Sequence, residues 1–291
     1  MPRNHPSPHG AAGRPDTAHQ LLGRRLRILR ESRGITSAQA KTYIGASGSK
    51  ISRIELGRIG IRDAELEKLL DLYGENDPEE RLALLELNSR LNERKWWSDY
   101  GDPFSDRFCS YLVLESIAQQ IWVFEIRLVP GFLQTPAYAE TIIRSRSQHD
   151  DADVRRLVEV RKRRRAMVLG SAKPAPWVIL DHSALTDGVD DAAVMREQIE
   201  FLIAATERVR IQILPPRSGL YALRNTSFSI LRCRGRSLAD VVYLENLDSA
   251  IYLDDHEESQ TYRNAMEEIG RAADPPSATR RTLEEALRHY R

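Results

Sequence analysis

Cysteine is scarce in this chain, since only Cys109 and Cys233 occur among its 291 residues. Two thiols so far apart form neither a disulfide framework nor a four-thiolate metal site, which indicates a reducing compartment. Long apolar runs are missing too: the longest have about five residues, whereas a membrane-spanning helix needs roughly 20. The first residues, MPRNHPSPHG, contain no apolar core of a secretory signal. We therefore expect a cytoplasmic protein with no membrane attachment.

Catalytic and cofactor motifs are missing as well. The sequence contains no HExxH, no GxSxG, no GxxxxGK[ST] and no strand-linked GxGxxG. Residues 181–183, Asp-His-Ser, have the residue types of a catalytic triad, but consecutive residues cannot converge on one substrate atom. We expect that segment to end a strand. Neither Cys109 nor Cys233 has a His or Cys at ligand spacing, so both are expected to be buried and inert. The sequence predicts no enzyme, no cofactor and no metal site.

Charge is strongly segregated, although the formal net charge is only +1. Residues 1–60 contain eleven Lys and Arg against three acids, and residues 240–268 contain nine acids against one base. Such asymmetry indicates one region that faces nucleic acid and another that avoids it. The alternative is a random scatter of charge over a solvated surface.

Hydrophobic periodicity and turn residues divide the chain into three regions, and the fold class is predicted to be α+β. Residues 1–18 are predicted to be a disordered tail. Residues 19–95 are predicted to form an all-α domain of five short helices. Residues 96–291 are predicted to form a mixed α/β domain. Its expected strands are 121–128, 177–181, 210–214, 227–232, 240–244 and 250–253. Its expected helices are 136–146, 152–169, 191–207, 256–273 and 277–290.

The most informative stretch is residues 35–58, ITSAQAKTYIGASGSKISRIELGR. Two short helices joined by a tight turn that contains Gly form a helix-turn-helix, whose second helix enters the DNA major groove. Thr36 is expected to cap the first of these helices, Gly45 permits the turn, and Ser47 is expected to cap the second helix at 48–56.

The inward side of that second helix is apolar. Ile44, Ile51 and Ile54 are expected to lock it against the core, and Glu55 to pair with an arginine of the preceding long helix. The open face then carries Gly48, Ser49, Ser52 and Arg53, with Lys50 nearby. Arg53 is the outward side chain that can make a bidentate contact with guanine. The residues predicted to contact double-stranded DNA are Arg24, Thr36, Ser37, Gln39, Ser47, Ser49, Lys50, Ser52, Arg53 and Arg58.

The stretch SKISRIELGR makes residues 22–73 resemble the XRE-type (Cro-repressor-like) helix-turn-helix regulators. The remainder resembles an actinobacterial subgroup of that family. The matching features are Lys95-Trp96-Trp97, LVPGFLQTPAYA at 128–139, and the strands 211–215 and 241–245. This resemblance implies a transcriptional regulator, often encoded beside a small partner protein, with a C-terminal domain of unassigned ligand. Some relatives are described as antitoxin-like.

Three residues depart from the pattern of that family. Ser37 stands where Gln usually opens the first helix of the motif, Lys41 stands at a small-residue position, and Gly48 stands where Gln often opens the recognition helix. These changes shift the expected specificity from base contacts toward backbone contacts and DNA shape.

A single helix-turn-helix offers few base contacts, whereas specific binding needs roughly 4–10 kcal/mol over non-specific binding. Two copies on a palindrome, with half-sites about 34 Å apart, usually supply the difference. We therefore predict a homodimer in which residues 96–291 dimerise, sense a small molecule of unknown identity, or bind a partner protein. The alternative function is an antitoxin-like interaction module that sequesters a small partner.

Two further segments have more than one interpretation. The basic run at 155–165 is interpreted as a solvated face paired with the acidic residues 240–268, as a second phosphate-contacting surface, or as an anionic-ligand pocket. The segment at 128–134 is interpreted as an elbow that joins domains, with a partner-binding loop as the alternative. In that segment's continuation, Thr135 is expected to cap the helix that Pro136 opens.

Overall fold

A computed structural model describes residues 17–100, 105–145, 150–170, 173–220, 222–235, 238, 240–246 and 249–290. The predicted tail therefore lies outside the described residues as far as residue 16. Thr17 and Ala18 are helical instead, because Ala18 is fully buried and its N–H donates to Ser110 Oγ at 3.5 Å. The described residues form two compact units: 17–93 with Asp106–Val113, and the remainder from residue 94 onward.

The first unit is all-helical, as predicted. Its five helices are α1 (Thr17–Ser32), α2 (Ser37–Tyr43), α3 (Lys50–Glu55), α4 (Asp63–Leu72) and α5 (Pro78–Asn92). The first part of a sixth helix, α6 (Asp106–Ile117), belongs to the same unit. Helix α6 was not predicted, and it continues into the second unit.

The second unit is built on a mixed six-stranded sheet. Its strands are β1 (Gln120–Glu125), β2 (Trp177–Asp181), β3 (Arg210–Leu214), β4 (Phe228–Arg232), β5 (Val241–Glu245) and β6 (Ala250–Leu253). The order is β3-β2-β1-β4-β5-β6. Strands β1, β2 and β3 are parallel, and β4, β5 and β6 follow as antiparallel neighbours. The predicted α+β class is thus confirmed.

α-Helices fill the two connections between the parallel strands β1, β2 and β3. Between β1 and β2 lie α7 (Pro136–Arg144) and α8 (Asp151–Leu169), and between β2 and β3 lie α9 (Ser183–Thr186) and α10 (Ala192–Ala205). After β6 come α11 (His256–Ala272) and α12 (Pro276–Leu287). Each strand and each long helix predicted for this region occurs, with ends shifted by a few residues.

Helix α11 packs on the sheet through Met266 and Ile269, which are fully buried among the strand residues. Gly270 allows this close approach, because a Cβ atom there would lie 2.4 Å from the Trp177 ring. Trp177 Nε1 donates to Gln212 Oε1 at 2.8 Å, and Gln212 Nε2 donates to the carbonyl of Gly270 at 3.0 Å. Sheet and helix are therefore joined by apolar packing and by a satisfied buried amide.

The segment at 128–134 is not an elbow between domains, as the sequence had suggested. It lies within the second unit, between β1 and α7. Leu133 and Gln134 are buried, and Gln198 fixes the segment by donating to the Leu133 carbonyl at 2.8 Å. The same amide accepts from Thr135 N–H at 2.7 Å, and Thr135 caps α7 as predicted. The Gln198 amide therefore holds this loop within the core of the second unit.

The basic run of α8 departs only in part from the predicted solvated face paired with residues 240–268. Arg164 is buried and forms a bidentate ion pair with the buried Glu115, at 3.0 and 2.8 Å. The Arg163 guanidinium lies 4.8 Å from the centroid of the Trp96 ring. Neither contact involves the acidic residues 240–268, where Asp240 instead pairs with its own neighbour Arg232 at 2.9 Å. Arg164 thus serves packing within the second unit, whereas Arg155, Arg156, Lys162 and Arg163 are exposed, as expected for a solvated face.

Cys109 and Cys233 are only partly buried, so the expectation that both are buried was wrong. The expectation for residues 181–183 is confirmed, because β2 ends at Asp181. The Asp181 carboxylate accepts from Ser183 Oγ at 2.8 Å and pairs with Arg224 at 2.7 Å. It therefore ties the end of the strand to the loop that follows β3.

Glu125, the last residue of β1, has an unusual environment. Burial raises the pKa of Glu125 to about 7, the nearby Glu245 contributes in the same direction, and a hydrogen bond with Ser227 opposes both. A carboxyl group whose pKa is raised by folding favours the folded state while it is neutral. The stabilisation of the folded state by neutral Glu125 is fully present below the pKa of this group in the unfolded chain, roughly 4.3. It is lost as the pH rises through about 7.

We predict that Glu125→Gln flattens this part of the pH dependence. Between pH 4.5 and 8, the free energy of unfolding of the natural protein should fall relative to the variant by about 1–3 kcal/mol. Urea unfolding at a series of pH values measures the difference. Glu285→Gln, on the exposed side of α12, is the control and should follow the natural protein. Parallel curves for Glu125→Gln and the natural protein would contradict the prediction.

Candidate nucleic-acid interface

Helices α2 and α3 are joined by a turn that contains two glycines in the left-handed region. Gly45 has φ of 66° and Gly48 has φ of 59°. Gly48 therefore cannot open the recognition helix as predicted, and α3 begins at Lys50. The residue before it, Ser49, occupies the N-cap position without a side-chain cap hydrogen bond. The prediction that Ser47 caps this helix was wrong, because the left-handed Gly48 separates Ser47 from it.

The inward face of α3 is formed as predicted. Ile44, Ile51 and Ile54 are 9%, 2% and 3% exposed. Helix α1 approaches closely at Gly23, where a Cβ atom would lie 2.4 Å from the Ile54 carbonyl oxygen. Helix α3 is thus held both by isoleucine packing and by close backbone contact with α1.

A buried ion pair fixes α3 further, which confirms the expectation for Glu55. Arg30 of α1 donates to both carboxylate oxygens of Glu55, at 2.6 and 3.0 Å. The hydrogen bond with Glu55 raises the pKa of Arg30 despite the opposing effect of burial. A third Arg30 donor reaches the Ile35 carbonyl at 2.7 Å. One guanidinium therefore connects α1, the segment before α2 and the end of α3.

Helix α2 begins with a capping box formed by Thr36 and Gln39. Thr36 Oγ1 accepts from the Gln39 N–H at 3.2 Å, and Gln39 Oε1 accepts from the Thr36 N–H at 2.8 Å. This confirms Thr36 as the cap. The box uses the oxygen of the Gln39 amide and leaves its Nε2 group for an external acceptor.

The residues predicted to contact DNA are collected on the surface of the first unit. All of them are exposed except Lys50, which is partly buried. On α3, Ser52 and Arg53 are exposed on the side opposite Ile51 and Ile54. Arg53 and Arg58 form no ion pair with any residue that the structure describes. Both guanidinium groups are available for phosphates or bases.

Lys50 has a partner inside the unit. Its Nζ lies 2.5 Å from Glu65 Oε1 of α4. Burial opposes ionisation of Glu65, but hydrogen bonds from Lys50 and from the Arg62 backbone outweigh it and lower the pKa of Glu65. The first residue of the recognition helix is therefore tied to α4.

Three residues at or near this surface were not found from the sequence. Tyr43, at the end of α2, is 52% exposed beside the turn. Gly23 sits inside a helix, and that position was a usable signal, because a glycine there costs about 1 kcal/mol relative to alanine unless packing requires it. Glu65 gave no signal, since its pairing with Lys50 depends on how α4 packs beside α3.

Two family models match the chain, one in each part. Residues 21–84 match a family model described as a helix-turn-helix domain, which indicates a DNA-binding regulator. Residues 108–285, more than half of the chain, match a model described as a domain of unknown function, DUF5753. The chain belongs to the DUF5753 family. No curated protein and no solved structure matches it.

The DUF5753 match contains all six strands of the sheet and most of α12. Among the described residues, no helix is both long enough and apolar enough to pass through a bilayer. The same residues contain no group of three or more His, Cys, Asp and Glu side chains that could hold a metal ion.

We predict that Glu65→Gln strengthens DNA binding. The neutral amide releases Lys50 from its ion pair but still offers an oxygen to the Arg62 N–H. If Lys50 then reaches a phosphate, the slope of log K against log salt should steepen by about 1. Fluorescence anisotropy with a labelled duplex over a salt series measures both quantities. Glu67→Gln, on the exposed side of the same helix, removes the same charge without an observed partner. Equal effects of the two variants would show that only net charge matters.

Proposed function

We propose that this protein is a sequence-specific DNA-binding transcriptional regulator of the XRE type that acts in the cytoplasm as a homodimer. The observation that carries the proposal is the construction of α3. Its inward residues Ile51 and Ile54 are buried and Glu55 is fixed by Arg30, whereas Ser52 and Arg53 are exposed. A rigidly held short helix with a cationic outward side is what docking into a major groove requires.

Each group on this surface has a role that suits its chemistry. Arg53 is the candidate for a bidentate contact with guanine O6 and N7. Ser47, Ser49 and the Gln39 amide are candidates for phosphate oxygens, which position a protein without reading sequence. The remaining proposed contacts are Arg24, Thr36, Ser37, Lys50, Ser52 and Arg58.

The DUF5753 domain is proposed to have a regulatory role without catalysis. In that role it responds to a small molecule or to a partner protein and changes how the first unit engages DNA. The sequence features that support this assignment are the missing catalytic motifs and the resemblance of residues 128–139 to the actinobacterial subgroup of XRE-type regulators.

We predict that Arg53→Ala weakens binding to the preferred operator by about 1–3 kcal/mol and relaxes selectivity at one base pair. The operator is first obtained by sequencing the genomic fragments that the purified protein retains. Anisotropy titrations against that operator and its single-base variants then give affinity and selectivity together.

The matched control for that experiment is Arg281→Ala on α12. Its side chain is 76% exposed, and its loss removes the same charge far from the proposed interface in sequence. We expect this variant to bind as the natural protein does. Unchanged affinity and selectivity in Arg53→Ala would refute the role assigned to Arg53.

The proposed dimer gives a separate prediction, which concerns half-site spacing. If two copies bind one face of the duplex, insertion of about five base pairs between half-sites should abolish cooperative binding, and insertion of about ten should restore much of it. Light scattering should give twice the mass of the chain in the absence of DNA. A monomer that binds a single half-site would contradict the dimer.

A second candidate function is an antitoxin-like module that holds a small partner protein. The observation that favours it is the β6 edge of the DUF5753 sheet. Within the described ranges of the chain, no strand pairs with β6 on its outer side. In that case the salt dependence of DNA binding should be shallow, because few phosphate contacts are made.

A further inference from the structure

The two edges of the six-stranded sheet differ in the hydrogen bonds that cover them. At the β3 edge, Thr279 Oγ1 donates to the Ile211 carbonyl at 2.6 Å and the Asp274 N–H donates to the Ile213 carbonyl at 2.8 Å. At the other edge, β6 has one neighbouring strand, β5, in the part of the chain that the structure describes. Open strand edges pair readily with other chains, and proteins usually cover them. The chain itself closes the β3 edge.

The register of β5 and β6 shows which way the backbone N–H and C=O of Ala250 point. The Asn246 N–H donates to the Ser249 carbonyl at 2.8 Å, and the next pair along is Glu245 with Ala250. Hydrogen-bonded and non-hydrogen-bonded pairs alternate in an antiparallel ladder, so Ala250 is in a non-hydrogen-bonded pair. Its N–H and C=O therefore point away from β5, toward the outer side of the sheet.

The apolar core is also only partly covered at this edge. Ile251 lies opposite Leu244 in the register and on the same face of the sheet. Leu244 is 7% exposed and belongs to the core cluster, whereas Ile251 is 48% exposed. A further strand beside β6 would extend the core over Ile251.

The surroundings of β6 are acidic. Glu245, Asp255, Glu257 and Glu258 are all exposed at the ends of β5 and β6 and at the start of α11. Two copies of this chain that paired through β6 would bring these carboxylates together, and like charges repel. A cationic segment would instead meet opposite charge at both ends of the strand.

We propose that β6 docks an extended, Lys- or Arg-flanked segment of a partner protein by strand addition. Main-chain hydrogen bonds hold the segment, an apolar side chain of the partner covers Ile251, and its cationic side chains face Glu245 and Glu257. This inference rests on the partner-responsive role proposed for the DUF5753 domain, but it does not depend on DNA contact.

A displayed library of random peptides of about ten residues, selected on the full chain, tests the proposal. We expect the enriched sequences to combine β-branched residues with Lys or Arg at their ends. The best peptide, labelled with a fluorophore, should bind Ala250→Pro about tenfold more weakly, because proline lacks the outward N–H. No β5–β6 hydrogen bond uses that N–H, so proline is compatible with this edge position. Ala250→Val keeps the N–H and should bind as the natural chain does.

Charge is tested with the same peptide. Glu245→Lys should weaken binding about tenfold at low salt, and Glu285→Lys on α12 should leave it unchanged. The proposal is overturned if no peptide is enriched, if the enriched peptides are acidic, or if Ala250→Pro and Ala250→Val bind the peptide equally. Conversion of a dimer to a monomer by Ala250→Pro would overturn it in favour of a second copy as the occupant.

The DNA interface is measured in parallel so that the two proposals can fail separately. Arg53→Ala should keep full peptide affinity, and Ala250→Pro should keep full operator affinity when no peptide is present. Loss of peptide binding in Arg53→Ala would contradict docking at β6. Unaltered DNA binding in Arg53→Ala would leave the peptide result intact.

Discussion

The ion pair between Arg30 and Glu55 is the contact on which the first unit depends most. Both side chains are buried, so separating either from its partner would leave an uncompensated charge, at a cost of about 3–5 kcal/mol. The α3 helix has only six residues and could not hold its conformation alone. Arg30 fixes the end of that helix and the entry to α2 with one group, so the outward orientation of Arg53 follows from it.

The second unit also contains a buried arginine–glutamate ion pair, which joins two of its helices. Arg164 and Glu115 form a buried bidentate pair between α8 and α6, and a Cβ atom on Gly131 would lie 2.9 Å from Arg164 Nη1. The glycine of the 128–134 loop therefore leaves room for the guanidinium group beside its partner. What looks like a basic run in the sequence contains a structural arginine, and counting its charges overestimates the positive surface of α8.

Much of the architecture could be predicted from the sequence because it depends on local signals. Apolar periodicity, together with Gly and Pro at the ends of elements, predicted the five N-terminal helices and the six strands. The contacts of Thr36, Ile51 and Glu55 could be predicted because motif geometry fixes them. Sheet order, the existence of α6 and the pairing of Lys50 with Glu65 could not be predicted, because each depends on contacts between residues distant in sequence. Ser47 was misassigned because a left-handed Gly48 cannot be distinguished from a helical glycine by pattern alone.

The charge asymmetry of the sequence separates the two units, since the basic segment lies in the first and the acidic segment in the second. The positive N-terminal segment supplies α1 and α3, where Arg30 is used internally and Arg53 remains available for DNA. The acidic segment supplies the β6 edge, where negative charge disfavours both nucleic acid and self-pairing. A cationic partner segment bound there would reduce the acidity of the DUF5753 domain. Partner binding would then favour DNA association through charge alone, without requiring a change in the conformation of α3.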